Sequence, residues 1–306
     1  MIRFSVCILG SGSALPIARR NPSGQLITYN NEHYLVDCGE GTQLRMRHMG
    51  ARFQRITHIF ISHLHGDHYL GLVGLLSTMH LLGRTADLHL HAPGPLKEII
   101  DLQLRVSDTR LRFTLHFHPL QTTERALIAE TNQMQVYAFP LAHRIPTWGF
   151  QFCERPREGK INKAELERRG LPLSAVPGLK SGHDYTDDRG IVHRSADLVD
   201  PPLPSRSYAY CSDTAFAPHV AEFVKGSDVL YHESTFLDEH AHRAKETFHS
   251  TARQAAEIAA LAGVGKLVMG HYSARYKDLA PFAEEASAVF SNVVLAEDGM
   301  DIAIVR

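Results

Sequence analysis

Six consecutive residues, His63-Leu64-His65-Gly66-Asp67-His68, carry four side chains able to ligate a metal, and their setting restricts the folds open to this chain. Residues 56–62 (I-T-H-I-F-I-S) precede them and read as a buried strand by length and β-branched content. Residues 69–82 follow, with Leu70, Val73, Leu76 and Leu81 roughly at helical spacing. The ligating groups therefore fall where the chain leaves a strand and enters a helix, at the rim of a sheet. Imidazole and carboxylate together suit zinc, manganese or iron, and an Asp among His ligands allows two ions side by side. A lone His is commonly an ordinary surface residue, but nothing in packing demands four ligating groups at one strand end.

A chain of 306 residues, 44% of them apolar, can bury a sizeable core, although length alone does not decide between one domain and two. With a formal charge of −1 there is no global basic field, so any polyanion site must be a local patch. Cys7, Cys38, Cys153 and Cys211 lie far apart with no C-x-x-C pair, the usage expected of a reduced, cytoplasmic protein. The apolar run at residues 6–9 is too short for a signal-peptide core, and no stretch approaches the ~18 apolar residues of a membrane span.

The pattern predicts strands at residues 3–9, 25–29, 33–37, 87–91, 111–117, 133–139 and 148–153, with helices at 43–49 and 95–107. After an interruption come strands at 207–212, 228–232, 266–269, 292–296 and 301–305, with helices at 217–225, 251–262 and 279–290. Two similar halves of this kind fit two sheets packed face to face with helices outside. The interruption, residues 155–204, is rich in Pro, Gly and charge. It is too long for a tight connection and reads as a functional arm or a disordered segment. Residues 155–169 hold six Arg or Lys against three Glu.

Two ions need more ligands than the hexapeptide offers. His143, Asp213 and His271 each stand where an apolar strand runs out, and Asp213 offers a carboxylate able to bridge. Two ions about 3.5–4 Å apart would bind a shared hydroxide and clamp an in-line displacement at phosphorus. A second cluster, His232-Glu233-Ser234-Thr235, is followed by His249-Ser250-Thr251. Helix capping accounts for Ser250 there but not for His249, which could protonate a leaving oxygen. His232 reads equally as a core histidine.

These residues resemble the metallo-β-lactamase superfamily and, within it, the ribonuclease Z family of tRNA 3′-processing endonucleases. The resemblance spans nearly the whole chain. It rests on the runs beginning at Gly10 (G-S-G-S-A-L-P) and Asp37 (D-C-G-E-G-T-Q), the hexapeptide, His143, Ser212-Asp213-Thr214, the His232 and His249 motifs, and the run beginning at His271 (H-Y-S-A-R-Y). It implies an α/β fold, an αββα sandwich of two mixed sheets flanked by helices, as a single domain over residues 1–306 with a tRNA-binding arm inserted at about 155–204. Two Zn2+ per subunit are implied, with Mn2+ or Mg2+ as substitutes. His63, His65 and His143 would hold one ion, Asp67, His68 and His271 the other, and Asp213 would bridge. Asp67 would also serve as general base, and His249, supported by Glu233, as proton donor to the leaving oxygen.

The implied substrate is precursor tRNA cut after the discriminator nucleotide, by a homodimer whose arms grip tRNA bound at the partner's active site. DNA and membranes are not expected partners. Arg19, Arg20 and Asn21 resemble the family's P-x-K-x-R-N loop, and Arg275 would lie near the acceptor end. Ala18 stands where the family has Lys, and the arm lacks the family's common Gly-Pro-rich form. The competing readings are a superfamily hydrolase of a small ester, thioester or lactone, and a non-catalytic RNA-binding protein on an inactive scaffold. A basic arm and the two His motifs are not needed by the first, and the second should have lost ligands.

Overall fold

Alternation of side chains along each strand sets the architecture of the computed structural model, which describes residues 2–305. The strands are β1 (Phe4–Gly10), β2 (Gly24–Tyr29), β3 (Glu32–Cys38), β4 (Ile56–Phe60), β5 (Leu88–Pro93), β6 (Leu115–Leu120), β7 (Ala126–Glu130), β8 (Met134–Leu141) and β9 (Thr147–Glu154). Four two-residue strands follow: β10 (Lys160–Ile161), β11 (Tyr185–Thr186), β12 (Val192–His193) and β13 (Val199–Asp200). The last five are β14 (Ser207–Cys211), β15 (Val229–Glu233), β16 (Leu267–Gly270), β17 (Val293–Leu295) and β18 (Asp301–Ala303). One seven-stranded sheet runs β18-β1-β2-β3-β4-β5-β6 and the other β17-β16-β15-β14-β9-β8-β7. Both are mixed: β3 to β6 and β14 to β17 pair parallel, whereas β1 pairs antiparallel with β2 and β7 with β8.

In β1, Phe4, Val6 and Ile8 join Tyr34, Phe60, Phe150, Phe152 and Tyr208 in the core between the sheets, while Cys7 and Leu9 join the cluster under the helices on the other face. Helices Leu72–Leu81 and Leu96–Val106 cover the first sheet, and Ala252–Ala262 and Ala280–Ser287 cover the second. This is the expected αββα sandwich, with a helix-covered outer face and an apolar interior on each sheet.

Residues 69–82 do not form one helix. A single turn, Gly66–Tyr69, precedes Leu72–Leu81, whose buried face is Leu72, Leu75, Leu76 and Met79, leaving Leu70 and Leu81 exposed. The break is fixed by backbone contact, since Gly71 N donates to Cys38 O at 2.9 Å and a Cβ on Gly71 would lie 2.2 Å from Gly39 O. Strand β6 begins four residues later than its pattern implied, and β7 had not been expected. Half-buried His116 and His118 in β6, and an equally half-exposed β7, lack the apolar alternation that marks an interior strand.

The interruption is ordered. Residues 153–205 form a compact unit of their own, with Leu166, Leu171, Ala175, Leu179 and Leu198 as a small core and helix Lys163–Arg168 capped by Asn162. Five apolar residues spread over short elements give no periodic signal, which explains the irregular look of the sequence. Its charge is also weaker than the first fifteen residues imply, for residues 155–204 hold nine Arg or Lys against eight Asp or Glu. Arg168 and Arg169 both pair with Glu165, and Arg157 pairs with Glu154.

On the inner face of β4 to β6, five histidines align in register. His58 stacks on His89 at 4.7 Å, His89 on His116 at 4.8 Å, and His91 on His118 at 4.5 Å. Burial, then the neighbouring rings, lowers His58 to about 4 and His91 to about 2. Both are neutral when folded near pH 6 but take up protons in the unfolded chain, so their contribution is complete above about pH 6.5 and is lost as pH falls toward 4. Urea unfolding should show stability falling by roughly 6 kcal/mol between pH 7 and 4 through these two rings. His58→Phe should make the decline visibly shallower. Gly71→Ala should cost about 3 kcal/mol by thermal or urea denaturation, because its Cβ would meet backbone that cannot yield.

Candidate metal centre

Parallel strands deliver their carboxyl ends to one rim, the usual location of sites in α/β sheets. His63, His65, Asp67 and His68 follow β4, Asp213 follows β14, and His271 follows β16, while His143 comes after β8. All seven residues foreseen as ligands converge. Single ligand atoms of His63, His65, His143 and Asp213 lie within 4.8 Å of one another, and so do those of Asp67, His68 and His271.

In the first group, His65 Nδ1 stands 3.1 Å from His63 Nε2 and 3.2 Å from His143 Nε2. In the second, His68 Nε2 and His271 Nε2 are 3.3 Å apart, and each is 3.5 Å from Asp67 Oδ2. Asp213 belongs to both. Its Oδ2 is 3.5 Å from His63 Nε2, and its Oδ1 is 3.4 Å from His68 Nε2 and 3.2 Å from His271 Nε2. Ligand atoms around a tetrahedral ion with bonds of about 2.0–2.1 Å are ~3.3 Å apart, so these separations suit a cation at each group. Asp213 Oδ1 is moreover buried with no hydrogen-bond partner, a costly state for a carboxylate that a cation would relieve. Five imidazoles and two carboxylates form a donor set for zinc, manganese or iron.

A supporting layer orients each ligand. Asp37 Oδ2 meets His68 Nδ1 at 2.8 Å and accepts from Tyr210 OH at 2.7 Å and Ser62 Oγ at 2.9 Å. Ser62 Oγ also lies 3.0 Å from His63 Nδ1. Phe248 O holds His143 Nδ1 at 2.9 Å, Thr235 Oγ1 holds His271 Nδ1 at 3.0 Å, and Ala14 N donates to Asp67 Oδ2 at 2.7 Å. Ala14, Asp37, Phe248 and His271 all have φ between 53° and 60°, strained for residues with a side chain, and each touches or supplies a ligand.

Burial keeps His63, His65 and His143 below the usual imidazole range, in the neutral form that can ligate. Burial opposes ionisation of Asp67 and Asp213, yet nearby histidines hold both below the usual carboxylate range, His68 and His271 acting on each. His68 shows the reverse balance: burial works against its charge, but Asp213, Asp67 and Asp37 raise it.

His249 stands beside the cluster, one of its ring nitrogens within 4.8 Å of ligand atoms of Asp213 and His271. Its Nδ1 is 2.9 Å from Glu233 Oε1. Against burial, Glu233 raises His249 to about 9. Glu233 is itself fully buried and accepts from the backbone N–H groups of Thr214, Thr235 and Ser250. His232, by contrast, is buried and turned to its own backbone, with Nδ1 at 2.7 Å from Glu233 O, the core role open to it from sequence.

A cavity of about 430 Å³ opens over the centre, lined in part by Ala14, His65, Asp67, Arg144, Asp213, His249 and His271. Arg144 was missed from sequence, where only its place beside His143 marked it. The four residues expected to touch substrate divide. Arg19 is exposed, and Arg275 packs over the Phe236 ring at 5.2 Å. Arg20 is buried and donates to Tyr276 O, and Asn21 donates through N and Nδ2 to Asp298 at 2.7 and 2.8 Å. Both brace the loop from within.

Comparison with known proteins gives the constellation its family. Residues 4–152 match the family described as Anti-Pycsar protein Apyc1, and residues 198–272 match the β-lactamase superfamily domain. Ribonuclease Z of Porphyromonas gingivalis is 46% identical over 99% of this chain and 99% of its own length. Ribonuclease Z of Parabacteroides distasonis is 44% identical over 99% of this chain and all of its own. The chain belongs to the ribonuclease Z family. The crystal structure of the short form of human tRNase Z covers 99% of this chain and 100% of its own at a TM-score of 0.73 and 28% identity. The chain is thus an enzyme, a nuclease of the metallo-β-lactamase fold with a divalent-metal site. Among the described residues no helix is long and apolar enough to cross a membrane.

Because Asp37 fixes the His68 ring from behind, Asp37→Ala should weaken metal binding 10–100-fold in a chelator competition. All seven candidate ligating side chains are retained in the sequence of that variant.

Proposed function

We propose that this enzyme removes the 3′ trailer from precursor tRNA by cutting after the discriminator nucleotide, leaving a 3′-hydroxyl. The observation that carries the reading is Asp213, whose two oxygens face two separate ligand groups. Ribonuclease Z relatives matching nearly the full chain support the choice of a tRNA substrate. His63, His65 and His143 would hold one zinc ion and Asp67, His68 and His271 the other, with Asp213 shared; Mn2+ or Mg2+ could substitute. When bound, the pair supplies an activated water and charge neutralisation at the phosphodiester.

The chain's own groups move the protons. Asp67, held ionised among histidines and fixed by Ala14 N, accepts the proton of the attacking water. His249 has Nδ1 engaged by Glu233, so Nε2 is the nitrogen with which it donates to the departing 3′-oxygen. Arg144, on the cavity wall, meets the charge of the scissile phosphate, and Arg19 and Arg275 contact the RNA nearby. Residues 155–204 act as an arm inserted in a single domain, gripping tRNA bound at the other subunit of a cytoplasmic homodimer. DNA is not a substrate in this reading.

Incubation with a precursor tRNA carrying a 3′ trailer, followed by mapping of the ends, tests the assignment. A metal-dependent cut at the discriminator is expected; rapid turnover of a small ester without RNA cleavage would replace this reading with the acyl-hydrolase one. His249→Ala should lower the cleavage rate at least about 100-fold while bound metal stays the same. Loss of metal in that variant would instead make His249 a ligand, as its approach to Asp213 and His271 allows. Deleting residues 155–204 should raise KM for precursor tRNA yet spare hydrolysis of bis(p-nitrophenyl) phosphate.

A further inference from the structure

An enzyme that handles RNA with a net charge of −1 must keep its positive charge local, and the arm, at nine basic against eight acidic residues, supplies little. The strongest acid-free stretch lies elsewhere. Residues 41–66 contain Arg45, Arg47, Arg52 and Arg55 and no Asp or Glu at all. The structure gathers part of this stretch around a cavity of about 340 Å³ on the helix-covered face of the first sheet. It shares no lining residue with the cavity over the metal centre.

Arg3, Arg52 and Arg55 line this second cavity, with Leu26 and Met49 among its apolar lining. Among the described residues neither Arg52 nor Arg55 has a carboxylate partner, and only Arg3 is paired, with Asp301 at 2.8 Å. His33, only 8% exposed, also lines the space; Thr28 Oγ1 engages its Nδ1, so Nε2 is the nitrogen it has left to offer. Burial and then Arg55, Arg3 and Arg52 lower the His33 pKa, a sign that all three guanidiniums bear on one point.

We infer that this cavity binds a nucleotide phosphate, with the unpaired Arg52 and Arg55 on the phosphate, Arg3 and its partner Asp301 at the side, and the apolar wall of Leu26 and Met49 against the base. Guanidinium forks suit phosphate oxygens, and uncompensated ones gain most from an anion. A volume of about 340 Å³ with an apolar wall admits more than a bare phosphate, which points to a nucleotide. Such a unit comes from an RNA strand or from a free mononucleotide. The first source extends the tRNA reading above to a second contact outside the metal centre; the second does not depend on it.

The test uses the full chain and two probes: a fluorescent 12-nucleotide single-stranded RNA followed by anisotropy, and 5′-AMP followed by calorimetry, with adenosine as the phosphate-free control. The Arg52→Ala/Arg55→Ala variant should bind at least one phosphate probe about tenfold more weakly. The salt dependence of RNA binding should flatten by about 0.7 in its log–log slope, as expected for one lost phosphate contact on a single strand. Arg52→Lys/Arg55→Lys should recover part of the loss, which a structural defect would not. Weakening confined to the RNA makes a strand the ligand, and weakening of 5′-AMP makes it a free nucleotide. Equal affinity of the alanine variant and the parent for both probes overturns the inference. Failure of the parent to cut precursor tRNA while this difference persists would count against the tRNA reading alone.

Discussion

The buried carboxylate of Asp213 is the constraint on which the rest of the centre depends. It lies on the second sheet's rim and faces imidazoles from both sheets, His63 and His68 after β4 and His271 after β16, with one oxygen toward each ligand group. Five histidines and two carboxylates in so small a volume are costly without cations between them. The fold opposes that cost with rigidity. Parallel strands on each side present the ligands from their ends, and an apolar core rich in aromatic residues locks the sheets face to face. Four left-handed backbone positions at the rim, at Ala14, Asp37, Phe248 and His271, then aim the groups that strand geometry alone would not aim.

Around this centre the chain separates two tasks. The ligand-orienting groups, Asp37, Ser62 and Thr235, are deeply buried; Ser62 donates to Asp37, and Thr235 is bonded to Glu233 and His271. His249 and Arg144 line the cavity, and His249 is tied through Glu233 to the backbone of three segments. Displacing Glu233 would loosen His249 and the Thr235 hydroxyl that holds His271 together. Glu233 therefore joins the surroundings of His249 mechanically to those of His271.

Recognition of a polyanion by a neutral protein poses a separate problem. Charge along the arm is nearly balanced and several of its arginines face glutamates in the same unit. Contacts through individual exposed arginines and backbone shape, instead of a broad field, are what such a surface offers. The acid-free stretch around Arg52 and Arg55 stands out against that background.

The candidate ligands were legible in the sequence because each follows an apolar strand, and strands are the most regular signal a chain carries. His63, His65, Asp67 and His68 stood out as one motif after a strand, His143, Asp213 and His271 as polar residues where a strand runs out, and the two sheets as two similar halves. What the sequence could not carry was anything depending on approach between distant segments. Asp37 sits 31 residues from His68, and only folding makes it that ring's partner. Arg20 and Asn21 look like substrate contacts in a basic loop, yet tertiary packing turns them inward to brace it. The arm's small core, scattered over short elements, has no period to read. Local order determined which residues could bind metal; the contact between the two halves decided how they are held, because hydrogen bonds that aim a side chain come from wherever the fold brings a partner.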